Sequence, residues 1–408
     1  MSKPKLLFLC QTLPYPPDGG APIRSFNLLR LLARDFDVTA LCFYRVSTTI
    51  DIAGSMAALR SIASVVEVYA IEQEHRKWRL LWDHLRSLLT MRAYTDYAYE
   101  SAAFRRSLLG HLRTTRFAVV HVDSLDLGGY LSLFEGVPIV LGHHNVESML
   151  LERRAKNESN GIRRGYLRVQ STFLRREERL WASRVAVNLV VSDGDAQNLA
   201  ALVPGARIAV IPNGVDIETF APEDSSKSDG IVFVGGMSWF PNADALTFFD
   251  EEVLPHIRAV DPLVKVTWIG RATPEAIERF ARRSIHLTGY VDDFREFVHD
   301  ASCYVVPLRI GGGTRLKILD AWAMGKAIVS TSVGCEGLDA VDGHNILIRD
   351  DPKEFAAAVT TVLREPGLRA SLASNARVTA VEKYSWEVIG RALRSAYAPI
   401  GAAAPRSD

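Results

Sequence analysis

PLRIGGGTRLKILDAWAM, residues 307–324, holds a strand end, a glycine turn and a helix start in one short run. The apolar residues before Pro307 predict a strand. Three glycines follow, and a helix is predicted over 314–324. Glycines let a backbone approach a ligand closely, and the free N–H groups of a helix start favour an anion. Arg309, Arg315 and Lys317 add positive charge around that point, so a diphosphate is the natural guest. Gly313, Lys317 and Asp320 fall on one helical face. A carboxylate one to two turns inside such a helix can accept hydrogen bonds from vicinal hydroxyls, such as those of a ribose. The plainer alternative is a solvated Lys317–Asp320 ion pair beside an ordinary turn. The run is neither a Walker loop nor a GxGxxG fingerprint, which speaks against NTP hydrolysis and nicotinamide chemistry.

Outward from this segment, short apolar runs alternate with amphipathic ones. Strands are predicted at 231–234, 264–269, 285–287, 303–306, 327–330 and 345–348, with helices at 244–257, 274–283, 292–299 and 352–364 between them. The N-terminal half repeats the scheme, with strands at 5–10, 38–43, 65–71, 118–122, 138–141 and 185–191. Its helices are expected at 23–34, at 162–183 and as a pair within 73–112. β-branched runs alternating with helices predict parallel strands buried on both faces, hence two doubly wound α/β domains. The division expected is 1–218, a linker at 219–230 (its core APEDSSKSDG lacks apolar periodicity), and 231–383. A last helix at 384–398 is expected to return to the first domain. Ligands of open α/β sheets bind at the strand C-termini, so the cleft between the two halves is the expected site.

Length favours two or three domains, and 48% hydrophobic with 23% charged residues is ordinary for a globular chain. A net charge of +1 requires no polyanionic partner. Residues 153–184 nevertheless hold ten basic side chains, a local positive excess. With Trp181 and the aromatic stretch 78–99, that region fits either a solvated helix face or peripheral contact with an anionic membrane. Four dispersed cysteines without CxxC spacing argue against a disulfide framework or a zinc site. No run of eighteen apolar residues predicts a membrane span, and no signal-peptide pattern is present. A cytoplasmic protein, either free or peripheral at the inner face of the membrane, is the expectation.

Read together, these residues resemble glycosyltransferase family 4 (glycosyl transferases group 1), and within it the bacterial sugar transferases of exopolysaccharide loci. The resemblance rests on PPDGG (16–20), GHHNVE (142–147), IPNGV (211–215), TGYVDD (288–293) and GGGTRLKILDAWAMG (311–325), in that order. It implies the GT-B fold, with two Rossmann-like domains facing across a cleft. It further implies transfer of a sugar from a nucleotide-diphosphate-sugar to a glycan or lipid-linked acceptor, with retention, no metal and no cofactor. By the same resemblance Gly19 and Gly20 face the donor diphosphate and acceptor, and His144 touches the reacting sugar. His143 and Asn145 flank it. Backbone groups of Gly289, Tyr290 and Val291 hold the base, Gly311, Gly312, Gly313 and Thr314 hold the diphosphate, and Asp320 holds the ribose.

Three departures from the family pattern stand out. Its first glutamate falls on Gly312, Asp320 replaces its second, and the usual Arg and Lys after the second domain's first strand are replaced by VGGMSW (234–239). Phosphate charge is therefore expected from Arg315 and Lys317, with Arg309 or Arg271 as further sources. Two rival readings are a nucleotide-sugar epimerase or hydrolase, and a nucleotide-sugar-binding protein without chemistry.

Overall fold

The computed structural model describes residues 3–45, 51–75, 77–223, 229–311 and 315–400. The chain forms two compact units. The first comprises residues 1–212 and 390–408, and the second residues 213–389. Residues 213–223 thus belong to the second unit and precede most of the expected linker, of which 224–228 lie outside the described residues.

Among the described residues of the first unit, seven parallel strands form one sheet. They are β1 (Lys5–Cys10), β2 (Asp37–Tyr44), β3 (Val65–Ala70), β4 (Val119–Val122), β5 (Ile139–Gly142), β6 (Val187–Val190) and β7 (Ile208–Val210). Their order is β3-β2-β1-β4-β5-β6-β7. β1 pairs with β2 from Lys5↔Asp37 to Cys10↔Cys42, and with β4 from Leu6↔Val119 to Leu9↔Val122. Leu6 to Cys10 are wholly buried, as a central strand covered on both faces must be. β7 lies outside the predicted strands; its three residues are only partly buried and give too short an apolar signal.

The second unit holds β8 (Ile231–Val234), β9 (Val266–Ile269), β10 (His286–Leu287), β11 (Cys303–Val306), β12 (Ile328–Ser330) and β13 (Leu347–Ile348), ordered β10-β9-β8-β11-β12-β13. All described pairings in this sheet are parallel. Its core includes Phe233, Trp268, Tyr304 and Trp322, with Phe233 stacked on Trp268 at 3.8 Å between ring centroids.

The helix boundaries shift from those expected for local reasons. The helix predicted over 244–257 begins earlier, at Phe240–Phe248, and continues through a wider π turn at Phe249–Val253 into Leu254–Arg258. The helix predicted over 292–299 spans Arg295–His299, because the Asp293 carboxylate accepts the Arg295 amide at 2.9 Å and ends the loop there. The helix after the glycine run is Leu316–Ala323, shorter at both ends than expected. The final helix, Trp386–Tyr397, passes from the second unit into the first at Gly390, whose Cα lies close against Leu31.

In each sheet the strand order reverses direction beside the first strand, between β1 and β4 and between β8 and β11. Loops leaving these neighbouring strands diverge there and open a crevice at the strand C-termini.

Candidate functional site

In the second unit, β8 leads into Gly235–Gly236, β9 into Gly270–Arg271, β10 into Gly289–Tyr290 and β11 into Pro307–Gly311. The first three loops are in contact. The Gly235 amide donates to Ile269 O at 2.7 Å, the Met237 amide to Arg271 O at 2.8 Å, and Gly270 bridges Gly289. Gly270 has φ +141°, and a Cβ there would lie 2.6 Å from the Gly236 amide, so only glycine lets these backbones meet. Arg271 lies over the exposed Tyr290 ring at 4.8 Å, a cation–π contact. Val291 packs partly against the core.

The helix Leu316–Ala323 aims two ionisable groups at this edge. The Lys317 ammonium donates to Asn242 Oδ1 at 2.9 Å and lies 4.1 Å over the Phe233 ring. Asn242 is fixed in turn by donating to Gly236 O at 2.9 Å. Burial pushes Lys317 down to about 7, and the nearby Arg315 charge adds to that. Burial likewise pushes Asp320 up to about 7. Both side chains keep partial solvent access while protein surrounds them. Among the described residues the Asp320 carboxylate has neither a hydrogen-bond nor an ion-pair partner, and Lys317 turns to Asn242 instead. The solvated i,i+3 ion pair is therefore not what forms. A half-buried carboxylate left without protein donors is open to donors from outside the chain.

Arg315 and Arg309 stand differently from Lys317. Arg315 is buried at the helix entrance and donates to Val333 O at 3.3 and 3.0 Å, so part of its role is to brace the next loop. Its guanidinium packs over Gly311, where φ is +150° and a Cβ would lie 3.0 Å from it. Arg309 is held by Asp244 at 2.8 and 3.1 Å and by Glu252 at 3.1 Å, and it covers Phe248. Two carboxylates already match its charge, which leaves it the weakest of the expected phosphate ligands. Gly312, Gly313 and Thr314 lie outside the described residues.

The first unit gathers a different set at its own switch point. Asp123 follows β4 directly and is buried. Its carboxylate accepts from the Ser25 hydroxyl and from Cys10 Sγ at 3.4 Å. His121 Nε2 and His144 Nε2 each lie 3.6 Å from it, within ion-pair range but too long for a hydrogen bond. Burial alone would raise the Asp123 carboxyl, but the two imidazoles outweigh it and hold it well below the usual carboxylate range. His121 Nδ1 meets the Tyr397 hydroxyl at 2.6 Å, and its ring stacks on Phe8. His144 keeps 16% of its side-chain surface exposed.

His143 points the other way. It is buried, with Nε2 3.0 Å from Asn188 Oδ1, and burial pushes it down to about 4. It is a neutral packing residue in this position. Asn145 donates to Glu147 at 3.2 Å. Gly19 precedes the helix Gly20–Leu32 with φ −161°, and the nearest atom to a Cβ there would be Pro22 Cδ at 3.7 Å. Neither backbone strain nor crowding within the chain demands glycine at 19. A separate cavity of about 370 Å³ in the first unit, lined by Arg79, Arg86, Arg92, Arg105, Glu100 and Tyr130 among others, contains none of these residues.

Sequence reading missed Asp123, His121, Ser25 and Asn242. The signal for Asp123 was an acid directly after an apolar strand (VVHVD, 119–123), informative only once β4 is known to lie beside β1.

Two doubly wound parallel sheets in one chain define the GT-B class of architecture. The chain belongs to the family 4 (group 1) glycosyltransferases. Residues 18–219 match the model described as Glycosyltransferase Family 4, and residues 228–365 match Glycosyl transferases group 1. It is 28% identical over 163 residues to an uncharacterized 44.6 kDa protein in the cps region of Klebsiella pneumoniae, covering 38% of this chain and 42% of that one. It is 26% identical over 215 residues to the phosphatidyl-myo-inositol mannosyltransferase of Mycolicibacterium smegmatis, covering 49% and 54%. The chain thus spans about half the length of these curated relatives. The crystal structure of Anabaena Alr3699/HepE in complex with UDP-glucose has the same fold (TM-score 0.65, 15% identity, 97% of this chain and 100% of that one).

Proposed function

We propose that this chain transfers a sugar from a nucleotide-diphosphate-sugar donor to a glycan or lipid-linked acceptor, with retention of the anomeric configuration. One observation carries the reading. An ammonium and an unpartnered, half-buried carboxylate share the first turns of the helix at the second sheet's switch point. The leaving diphosphate gains charge as the anomeric bond breaks, and a prearranged cation stabilises it. Lys317 supplies that cation, held in place by Asn242, and Arg315 adds its field from below. Asp320 accepts from ribose hydroxyls, which are the donors its carboxylate otherwise lacks. Gly289, Tyr290 and Val291 present backbone groups to the base beside Arg271. In the first unit His144, set beside Asp123, contacts the reacting sugar, and the open approach at Gly19–Gly20 admits substrate.

The UDP-glucose bound by a protein of this fold supports the donor class. A relative named for mannosyl transfer to phosphatidyl-myo-inositol supports the lipid-linked acceptor.

Thermal-shift screening against UDP-, GDP-, ADP- and dTDP-sugars tests the reading, since a ligand that binds only the folded state raises its melting temperature. One donor should stabilise the wild type and stabilise Lys317→Ala less. Stabilisation by none of them would sink the proposal. Donor consumed without acceptor, with epimerised product, would favour the epimerase; tight binding with no turnover would favour a binding protein.

A further inference from the structure

The helix Lys77–Thr90 of the first unit is mounted inside out. Its polar face is the one docked on the protein. Asp83 and Ser87 are buried, and the His84 ring stacks on Tyr94 at 4.0 Å and meets the Tyr166 hydroxyl at 2.5 Å. Gln170 donates to Ser87 Oγ at 2.8 Å, and Thr90 pairs with the Tyr97 hydroxyl at 2.6 Å. The outward face carries Trp78, Leu81, Trp82, Leu85 and Leu89, all exposed, with Trp78 at 84%. These positions fall at i, i+3, i+4, i+7 and i+11, the spacing of one helical stripe. The stripe continues onto the neighbouring helix Gly161–Ala182. There Ile162 is 87% exposed and Val169 is also exposed, one turn to either side of the Tyr166 that touches His84.

An apolar face of this extent marks an interaction surface. Its charge selects the partner. Between residues 77 and 92 the one acid is Asp83, which is buried. The exposed Arg163 and Arg168 on the adjoining helix have no side-chain partner among the described residues. A two-fold pairing of copies through this face would set the same positive rim against itself. Two tryptophans one turn apart above leucines, flanked by Arg163 and Arg168, match the interface of a bilayer with anionic headgroups.

We propose that the helix Lys77–Thr90, with Ile162, Val169 and the arginine rim, lays the first unit on an anionic lipid surface, its apolar stripe seated among the headgroups. The inference holds whether or not the transfer reading does. Co-sedimentation of the full chain with phosphatidylcholine vesicles, with and without phosphatidylglycerol, tests it. The wild type should pellet with anionic vesicles, and Trp78→Ser/Trp82→Ser/Leu85→Ser should bind on the order of tenfold more weakly or worse. These side chains are exposed, so the variant should keep the wild-type melting temperature. Arg163→Glu/Arg168→Glu should lose the preference for anionic lipid. Equal binding to both vesicle types, binding to neither, or undiminished binding by the triple variant would overturn the proposal. A dimer that the triple variant disperses, seen by light scattering, would assign the face to self-association instead.

Discussion

The two switch points share a strand order and differ in the sign of what they hold. Beside β1, the first unit buries a carboxylate, Asp123, among two imidazoles and the Ser25 hydroxyl. Beside β8, the second unit places an ammonium over an aromatic ring and, one turn on, a carboxylate with no partner. Asp123 is internally compensated and stays ionised, whereas Lys317 and Asp320 sit near neutrality, awaiting charge and donors from outside. Topology therefore places the candidate site, and a few side chains decide which chemistry it suits. In the proposed reading the first unit handles the reacting sugar and the second the nucleotide.

The sharpest break of that contrast would come at Asp123. Asp123→Asn should slow transfer by on the order of a thousandfold while leaving nucleotide affinity unchanged, since acid–base and orienting groups typically contribute 10²–10⁴-fold. Wild-type turnover in that variant would reduce the cluster to packing. Next in size, Lys317→Ala should lower turnover by about a hundredfold, from roughly 2–4 kcal/mol of lost charge stabilisation, with an unchanged melting temperature. Arg315→Ala should combine a similar loss with a lower melting temperature, because its guanidinium also braces Val333 O. A purely thermal defect would remove Arg315 from the proposed site.

The pH dependence of nucleotide affinity sharpens the comparison further. The Lys317 contribution is full below about pH 7 and declines above it, as the ammonium deprotonates. The Asp320 contribution is absent below about pH 7 and grows above it, as the carboxyl ionises. Affinity measured by calorimetry should peak near that pH. Lys317→Ala should retain only the rising limb, and Asp320→Asn only the falling one. A flat profile in the wild type would contradict both assignments.

Smaller effects test the supports. Asn242→Ala should weaken nucleotide binding by about tenfold, as expected of one hydrogen bond to a charged group. Gly19→Ala should leave stability within about 0.5 kcal/mol, because the chain leaves room for the methyl group. Its KM should rise if substrate approaches there, and an unchanged KM would leave Gly19 as an ordinary turn.

Much of the fold was legible because burial on both faces forces long apolar, β-branched runs. Strands β1, β8 and β11 fall on the predicted residues, and the helix Pro352–Arg364 matches at both ends. β7 and the π turn at Phe249–Val253 were not, since three half-buried residues or one extra backbone residue per turn leave no periodic trace. Lys317 and Asp320 were visible as i,i+3 neighbours after a run of glycines. That Arg309 is spent on Asp244 and Glu252 was not, because those partners lie 65 and 57 residues away.

Sequence alone determined two α/β halves, a charged helix after the glycine-rich run, and the family. Its periodicities are local, and hydrophobic burial reads them out residue by residue. Tertiary structure alone decided that Asp123 meets Ser25, that Lys317 turns to Asn242 and leaves Asp320 unpartnered, and that the helix Lys77–Thr90 shows its apolar face to the outside. Those outcomes depend on which strands become neighbours and on what each helix finds beneath it. An amphipathic pattern gives two faces, and only packing chooses which one is turned inward.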